Sequence, residues 1–151
     1  AIEQGSGFFQ HGHTYLGHPM AAAAANAVLD VFFDQGVLDQ VTPLGQDLQS
    51  RLEQAFGQHP HVGDIRGRGL FRGIEFVSDR DTKTPFDPAL GLAGKLKKTA
   101  QANGLLCYPM AGTIDGRMGD HILLAPPFIM QNDDMDDLLA KLVKTVDDVL
   151  P

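Results

Sequence analysis

Residues 61–77, HVGDIRGRGLFRGIEFV, decide the fold of this chain, because short apolar pieces alternate there with glycines. Such a pattern predicts a strand, a tight turn and a second strand. Leu70, Ile74, Phe76 and Val77 supply the apolar side chains of the second strand. The stretch therefore predicts the start of a small sheet.

The segments after this two-stranded ribbon, residues 61–77, predict two more strands and two helices. A helix is predicted from Pro88 to about Asn103. LLCYP, 105–109, indicates a buried strand, and HILLAPP, 121–127, a further strand ended by two prolines. The last helix is predicted to begin near Asn132, a good N-cap. Its apolar face has helical spacing and consists of Met135, Leu138, Leu139, Leu142, Val146 and Val149.

The segments before the ribbon predict a long helical arm. Pro19 suits the first turn of a helix, and the alanines of 21–25 have the highest helix propensity. This helix is predicted to end near Gly36. A second helix is predicted over 44–56, because leucines recur there on one face, with a break near Pro43.

The predicted fold class is α/β, with a small domain of the α+β kind. We expect the long helical arm to be followed by a small mixed sheet that helices cover on one side. The 151 residues are enough for one domain with a proper core. The alanine face of the arm predicts a large neighbouring surface.

Net charge and cysteine content indicate which classes of partner and which compartment to expect. The formal net charge of −7 argues against binding to nucleic acid or to anionic membrane. No apolar run is long enough to span a bilayer. The single cysteine, Cys107, forbids an internal disulfide and indicates a reducing compartment. We therefore expect a cytoplasmic protein.

The segment HGHTYLGHP before the first helix has three candidate roles. His11, His13 and His18 suggest a metal site. Against it, the chain contains neither of the zinc-binding motifs CxxC and HExxH. An anion site is favoured, since Gly12 allows close backbone approach and Thr14 adds a hydroxyl donor ahead of a helix N-terminus. The third role is that Thr14 and His18 only cap the helix.

Three motifs in order resemble the class III, pyridoxal-phosphate-dependent aminotransferases. The first is FxHGxTYxGHPxAxAAAxAxLD over 9–30, and the second is RGRGLFRGIEF over 66–76. The third combines GLLCYP, GDHILLAPPFIM and an acidic amphipathic terminal helix. The resemblance covers nearly the whole chain, and it is to the C-terminal part of such an enzyme.

This resemblance implies a type I fold and a homodimer with active sites at the subunit interface. In the family, the loop before the alanine-rich helix donates to the cofactor phosphate of the neighbouring subunit. The resemblance thus implies that Thr14 gives a hydroxyl, beside the backbone N–H of His13 or Thr14. It also implies that 1–19 is a cofactor-phosphate loop from the end of the large domain. On that basis 20–58 are linking helices and 59–151 the C-terminal small domain.

Arginine supplies the candidate for substrate binding. The loop TIDGRMGDH, 113–121, is similar to the region where many family members bind the substrate carboxylate, which makes Arg117 the candidate. A guanidinium matches a carboxylate with two hydrogen bonds. The alternative is a loop arginine that only faces solvent. Arg66, Arg68 and Arg72 are predicted to be structural or interface residues.

A transaminase also needs a Schiff-base lysine and a carboxylate paired with the pyridine nitrogen. The family places both upstream of the threonine loop, whereas the first lysine here is Lys83. No catalytic residue is therefore assigned, and the isolated chain is expected to be inactive. The predicted function is the C-terminal portion of an enzyme moving an amino group from an amine or ω-amino acid to a keto acid. The alternative is a non-catalytic truncated module that keeps the fold for dimerisation or ligand binding.

Overall fold

A computed structural model describes residues 2–150, which fall into two compact units that meet in sequence at Val37 and Leu38. The elements, in chain order, are α1 (Pro19–Asp34), α2 (Val37–Phe56), β1 (Val62–Arg68), β2 (Phe71–Phe76), a short 3-10 helix (Pro88–Leu90), α3 (Leu92–Ala102), β3 (Tyr108–Ala111), β4 (Asp120–Leu124) and α4 (Asn132–Val149). No single helix within this range is long and apolar enough to cross a membrane. Only α1 and α2 taken together, across the break between them, meet those criteria of length and composition.

The four strands form one sheet in the order β1-β2-β4-β3. β1 and β2 are joined by the two-residue turn Gly69-Leu70, and Arg68 pairs with Phe71 directly across it. Gly69 has φ of 54°, in the left-handed region that glycine enters without steric cost. The strand, turn and strand predicted for 61–77 are thus confirmed, except that Leu70, predicted in the second strand, lies in the turn, and Val77 follows the end of that strand.

The predicted fold class is confirmed, but one detail was wrong, because the sheet is antiparallel throughout rather than mixed. The chain leaves β2, passes through α3 and returns as β3. Such a crossover suggests neighbouring parallel strands. Here β4 follows β3 as the second strand of a hairpin and lies between β2 and β3 in the sheet, so that β4 runs antiparallel to both neighbours.

The core lies on one face of the sheet. Ile74 and Phe76 of β2 and Ile122 of β4 are fully buried, and they form a single cluster with apolar side chains of three helices. The predicted stripe of α2 is confirmed, since its buried members are Leu48, Leu52 and Phe56. The predicted face of α4 is confirmed as well, with Met135, Leu142 and Val146 buried and Leu138, Leu139 and Val149 packed against the cluster.

Helix α2 begins at Val37, well before the predicted start at Leu44, and contains Pro43. The predicted break at this proline was therefore wrong. A proline inside a helix removes one backbone hydrogen bond, here the one to the carbonyl of Asp39, and crowds that carbonyl. The downstream stripe is anchored in the core, so the chain tolerates this cost close to the helix start.

The predicted buried strand at 105–109 was also misplaced. Strand β3 begins at Tyr108, and Leu106 before it is 89% exposed. Because β3 pairs only with β4, it is an edge strand. The apolar composition of this segment suggested a strand buried on both faces, but β3 is not buried in this way.

The first unit has a different character, since none of residues 2–36 is buried. Helix α1 is formed as predicted and ends at Asp34, with Gln35 as its C-cap and Gly36, at φ of 63°, directly after it. Large apolar side chains are exposed along this unit: Phe8, Phe9, Tyr15, Leu16, Met20, Val28, Leu29 and Phe33. The unit therefore has no core of its own.

We expect Gly45→Ala to destabilise the protein, although alanine is normally the better residue inside a helix. A Cβ on Gly45 would lie 2.7 Å from the Cα of Gly69 and closer still to the carbonyl of that residue, so two backbones would have to separate. The expected loss in unfolding free energy is about 1–3 kcal/mol, as for overpacking elsewhere. Urea denaturation measures it.

Gly94→Ala in α3 is the matched control, because a Cβ there meets nothing within 4 Å. It should raise the unfolding free energy by roughly 0.5–1 kcal/mol, the ordinary gain for replacing a helical glycine. Equal effects of the two substitutions would contradict the close packing of α2 on the β1–β2 turn.

Candidate functional site

Two successive turns lead the loop 11–18 into α1. The N–H of Leu16 donates to the carbonyl of His13 at 3.0 Å, and the N–H of His18 donates to the carbonyl of Tyr15 at 3.1 Å. Nδ1 of His18 then accepts from the N–H of Ala21 at 3.3 Å, so that His18 is the N-cap of α1. Capping by His18, one of the predicted alternatives, is thus observed.

Thr14 does not share this capping role. Neither its hydroxyl nor the backbone N–H groups of His13 and Thr14 have a hydrogen-bond acceptor within residues 2–150, and both residues are exposed. These are the donors through which loops ahead of helices bind phosphate. The donor set that the structure leaves open is therefore suited to a phosphate group.

The histidines of this loop make ring contacts with one another. His11 lies edge-on to Phe9 at a centroid distance of 5.8 Å and to His13 at 6.3 Å. No group of three or more His, Cys, Asp or Glu side chains in the described chain is placed to hold a metal ion. The local geometry therefore gives the metal hypothesis no support.

Arg117 belongs to the second unit, in the loop that joins β3 to β4. Oδ1 of Asp115 accepts from the N–H of Arg117 at 2.9 Å and from that of Met118 at 2.7 Å. The N–H of Ile114 donates to the carbonyl of Met118 at 3.0 Å. The loop backbone is therefore fixed, while the exposed guanidinium has no partner in the part of the chain described.

The carboxylate that holds this loop has a perturbed pKa. The N–H groups of Met118 and Arg117 stabilise its charged form and lower the pKa of Asp115 below the ordinary value. At the base of the loop, Oγ1 of Thr113 lies 2.6 Å from Nδ1 of His121. Sequence reasoning missed this pair, because only the hairpin register brings the two residues together.

Strand β4 also positions α3. The carboxylate of Asp120 accepts from the N–H of Ala93 at 3.2 Å, in the first turn of α3, where the N-cap Gly91 has no side chain to do so. Burial raises the pKa of Asp120. No sequence pattern marks this cap, which comes from a residue 27 positions away.

None of the six lysines is buried. Lys83 donates to the carbonyl of Gly63, while Lys141 pairs with Asp137 and Lys144 with Asp148 on α4. The others, Lys95, Lys97 and Lys98, are exposed on α3. A Schiff-base lysine is activated by desolvation or by a neighbouring cation, and no lysine here has a desolvated environment.

Two of the arginines predicted to be structural have that role. Nη1 of Arg66 contacts Asp64 at 2.7 Å and Glu75 at 2.6 Å, joining β1 to β2. These carboxylates raise the pKa of Arg66, Asp64 having the largest effect. Arg72 is buried and donates to two backbone carbonyls.

Comparison with known proteins gives one consistent answer. The family model described as aminotransferase class-III matches residues 1–146. An uncharacterized aminotransferase of Schizosaccharomyces pombe is 41% identical over 141 residues, which make up 93% of this chain and 30% of that protein. The curated relatives are thus about three times as long as the segment they share with this chain.

Solved structures agree. A PLP-bound aminotransferase mutant from Vibrio fluvialis is 33% identical with a TM-score of 0.83, and the match covers 97% of this chain and 30% of that one. A thermostable (S)-enantioselective omega-transaminase from Thermomicrobium roseum is 29% identical with a TM-score of 0.85, covering 99% of this chain and 32% of that one.

We expect the loop around Arg117 to loosen as Asp115 is protonated. Because the folded-state pKa of Asp115 is lowered, its stabilising contribution is present above the ordinary carboxyl pKa and is lost as the pH falls through the folded-state value. The protection of the Arg117 and Met118 amide protons, relative to their intrinsic exchange rates at the same pH, should therefore be lost only in acid. NMR exchange rates as a function of pH measure this.

In Asp115→Ala the same two amides should be unprotected at every pH. Asp79→Ala is the matched control, since Oδ1 of Asp79 accepts from the N–H of Thr82 at 2.9 Å in another loop. Its effect should stay with Thr82. Unchanged exchange at Met118 in Asp115→Ala would contradict the role given to this carboxylate.

Proposed function

We propose that this chain, which belongs to the class-III aminotransferases, supplies the phosphate loop and the C-terminal small domain of a transaminase. The complete enzyme would move an amino group from an amine or ω-amino acid to a keto acid. Class-III aminotransferases depend on pyridoxal phosphate, which acts when bound as an electron sink during amino transfer. The observation that carries the proposal is the set of unpartnered donors at His13 and Thr14 ahead of α1.

The chain's own contribution is to hold the phosphate. The hydroxyl of Thr14 and the N–H of His13 or Thr14 would donate to its oxygens. Helix α1 begins close by, and its positive N-terminal end favours an anion. We assign 1–19 to this loop, 20–58 to the linking helices and 59–151 to the small domain.

Arg117 would bind the substrate carboxylate. Asp115 fixes the backbone on either side of it, and the exposed guanidinium is available for two parallel hydrogen bonds. Substrate held in this way loses rotational freedom before reaction. The chemical step itself would require the lysine that the family places outside the segment present here.

We further propose a homodimer in the cytoplasm. The support for a dimer is the apolar surface of the first unit, which includes Phe8, Phe9, Met20 and Phe33 and has no core beneath it. The support for the cytoplasm is the single free thiol of Cys107, whose pKa is raised by burial.

Thr14→Ala should weaken cofactor retention in the holoenzyme by about tenfold or more, because a hydrogen bond to a charged phosphate contributes roughly 1.5–3 kcal/mol. Retention is measured by dialysis followed by absorbance of the bound cofactor. Thr14→Ser keeps the hydroxyl and should restore most of it. Equal retention in wild type and Thr14→Ala would exclude the phosphate role.

Arg117→Ala should raise KM for carboxylate-bearing donors by about tenfold to a hundredfold and leave KM for simple amines unchanged. Steady-state kinetics with both donor classes measures this. Arg117→Lys retains the charge without the planar fork and should recover only part of the loss. An unaltered KM for the carboxylate donor would refute the assignment.

The isolated 151-residue protein should not attach the cofactor covalently. Borohydride treatment in the presence of pyridoxal phosphate, followed by mass spectrometry, should show no stoichiometric attachment at one lysine. Such attachment would show that the chain has a Schiff-base lysine of its own and would contradict the expectation drawn from its missing lysine. Phosphate-loop binding without any transaminase activity in the longest native polypeptide would favour the alternative, a non-catalytic module for dimerisation or ligand binding.

A further inference from the structure

A cavity in the second unit lies between the first half of α2 and the β1–β2 turn, and has a volume of about 690 Å³. This size is within the range of small-molecule sites. Its polar lining consists of side chains that can donate hydrogen bonds: Thr42 and Gln46 from α2, and Arg68 and Arg72 from the ribbon. Its apolar lining comprises Leu38, Val41, Leu70, Phe71 and Phe128. No acidic side chain lines it.

Arg72 is the unusual member of this lining, because its side chain is charged and yet the residue is only 9% exposed. Its Nη1 donates to the carbonyl of Gly67 at 2.9 Å and its Nη2 to the carbonyl of Gly45 at 2.7 Å. Its Nε has no acceptor, and no carboxylate in the described part of the chain pairs with it. Two of the five N–H donors of the guanidinium are thus used.

A buried charge without a counter-ion is costly, and proteins normally pair it. In Arg72 the two carbonyls satisfy hydrogen bonds but leave the charge uncompensated. Arg68 adds a second, exposed guanidinium to the same cavity. The positive charge is local, since the protein as a whole carries −7.

We infer that this cavity binds a small organic carboxylate with an apolar body. The exposed planar fork of Arg68 and the unused N–H groups on the terminal nitrogens of Arg72 fit a carboxylate, and the leucine, valine and phenylalanine side chains would cover the rest of the ligand. The cavity lining includes none of the residues assigned above to cofactor and substrate, and the inference does not rest on the proposed function.

The test is an NMR titration of the 151-residue protein with benzoate, benzyl alcohol and inorganic phosphate as probes. Benzoate should produce saturable shifts confined to 38–46, 67–72 and Phe128, at a Kd lower than that of either other probe by tenfold or more. Equal affinity for benzyl alcohol would overturn the role of charge, and equal affinity for phosphate would overturn the role of the apolar body.

Arg68→Gln should weaken benzoate binding by about tenfold, whereas Lys98→Gln should leave it unchanged. Lys98 is the matched control because it is exposed on α3 outside the cavity and its loss changes the net charge equally. Equal weakening by both variants, or shifts spread over the surface, would reduce the effect to general charge attraction and overturn the site.

Arg72→Lys tests the buried group, with circular dichroism to establish that the variant is folded. A folded variant should lose benzoate binding by at least tenfold, since an ammonium lacks the planar fork. Unchanged binding in the folded variant would overturn the assignment to Arg72. If this variant does not fold, the comparison of Arg68→Gln with Lys98→Gln decides the question.

Discussion

The packing of α2 against the β1–β2 turn is the constraint on which the second unit depends. Gly45 in the helix lies so close to Gly69 in the turn that no side chain fits between them. Arg72 ties the two elements together by donating to the carbonyls of Gly45 and Gly67. The apolar stripe of α2 reaches the core only because this contact sets how near the helix lies to the sheet.

A second set of contacts extends this order to the β3–β4 loop. Asp120 starts β4 and caps α3, so the strand that carries the loop is joined to the helix that covers the sheet. Thr113 and His121 close the base of the loop, and Asp115 fixes its tip. Arg117 thus stands on an ordered backbone although its side chain is exposed, which is the arrangement that a substrate-binding arginine needs.

The sequence predicted the elements whose cause is local. Periodic leucines identified α2 and α4, alanine and Pro19 identified α1, and the glycines of 61–77 identified the ribbon. It failed where the cause lies elsewhere in the chain. The insertion of β4 between β2 and β3 depends on pairing energies along whole strands, and the continuation of α2 through Pro43 depends on the core that anchors it.

The candidate site shows the same division. A family motif pointed to His13 and Thr14, and the structure adds that their donors are unpartnered while His18 caps the helix. The Thr113–His121 pair, the Asp120 cap and the uncompensated charge of Arg72 were not predictable, because each arises from residues brought together by the antiparallel register or by α2 packing.

The two units differ in what they can do without further polypeptide. The second unit has a closed core, ordered loops and a defined cavity, so it can present Arg117 and Arg72 in fixed surroundings. The first unit has donors for a phosphate, but none of residues 2–36 is buried, and an exposed apolar helix is stabilised mainly by what packs on it. A phosphate bound there gains strength only as surrounding surface excludes water, since charge-assisted hydrogen bonds weaken in a high dielectric. Phosphate binding at the proposed loop would therefore depend on a covering surface, whereas the cavity proposed as a carboxylate site has a lining from the second unit.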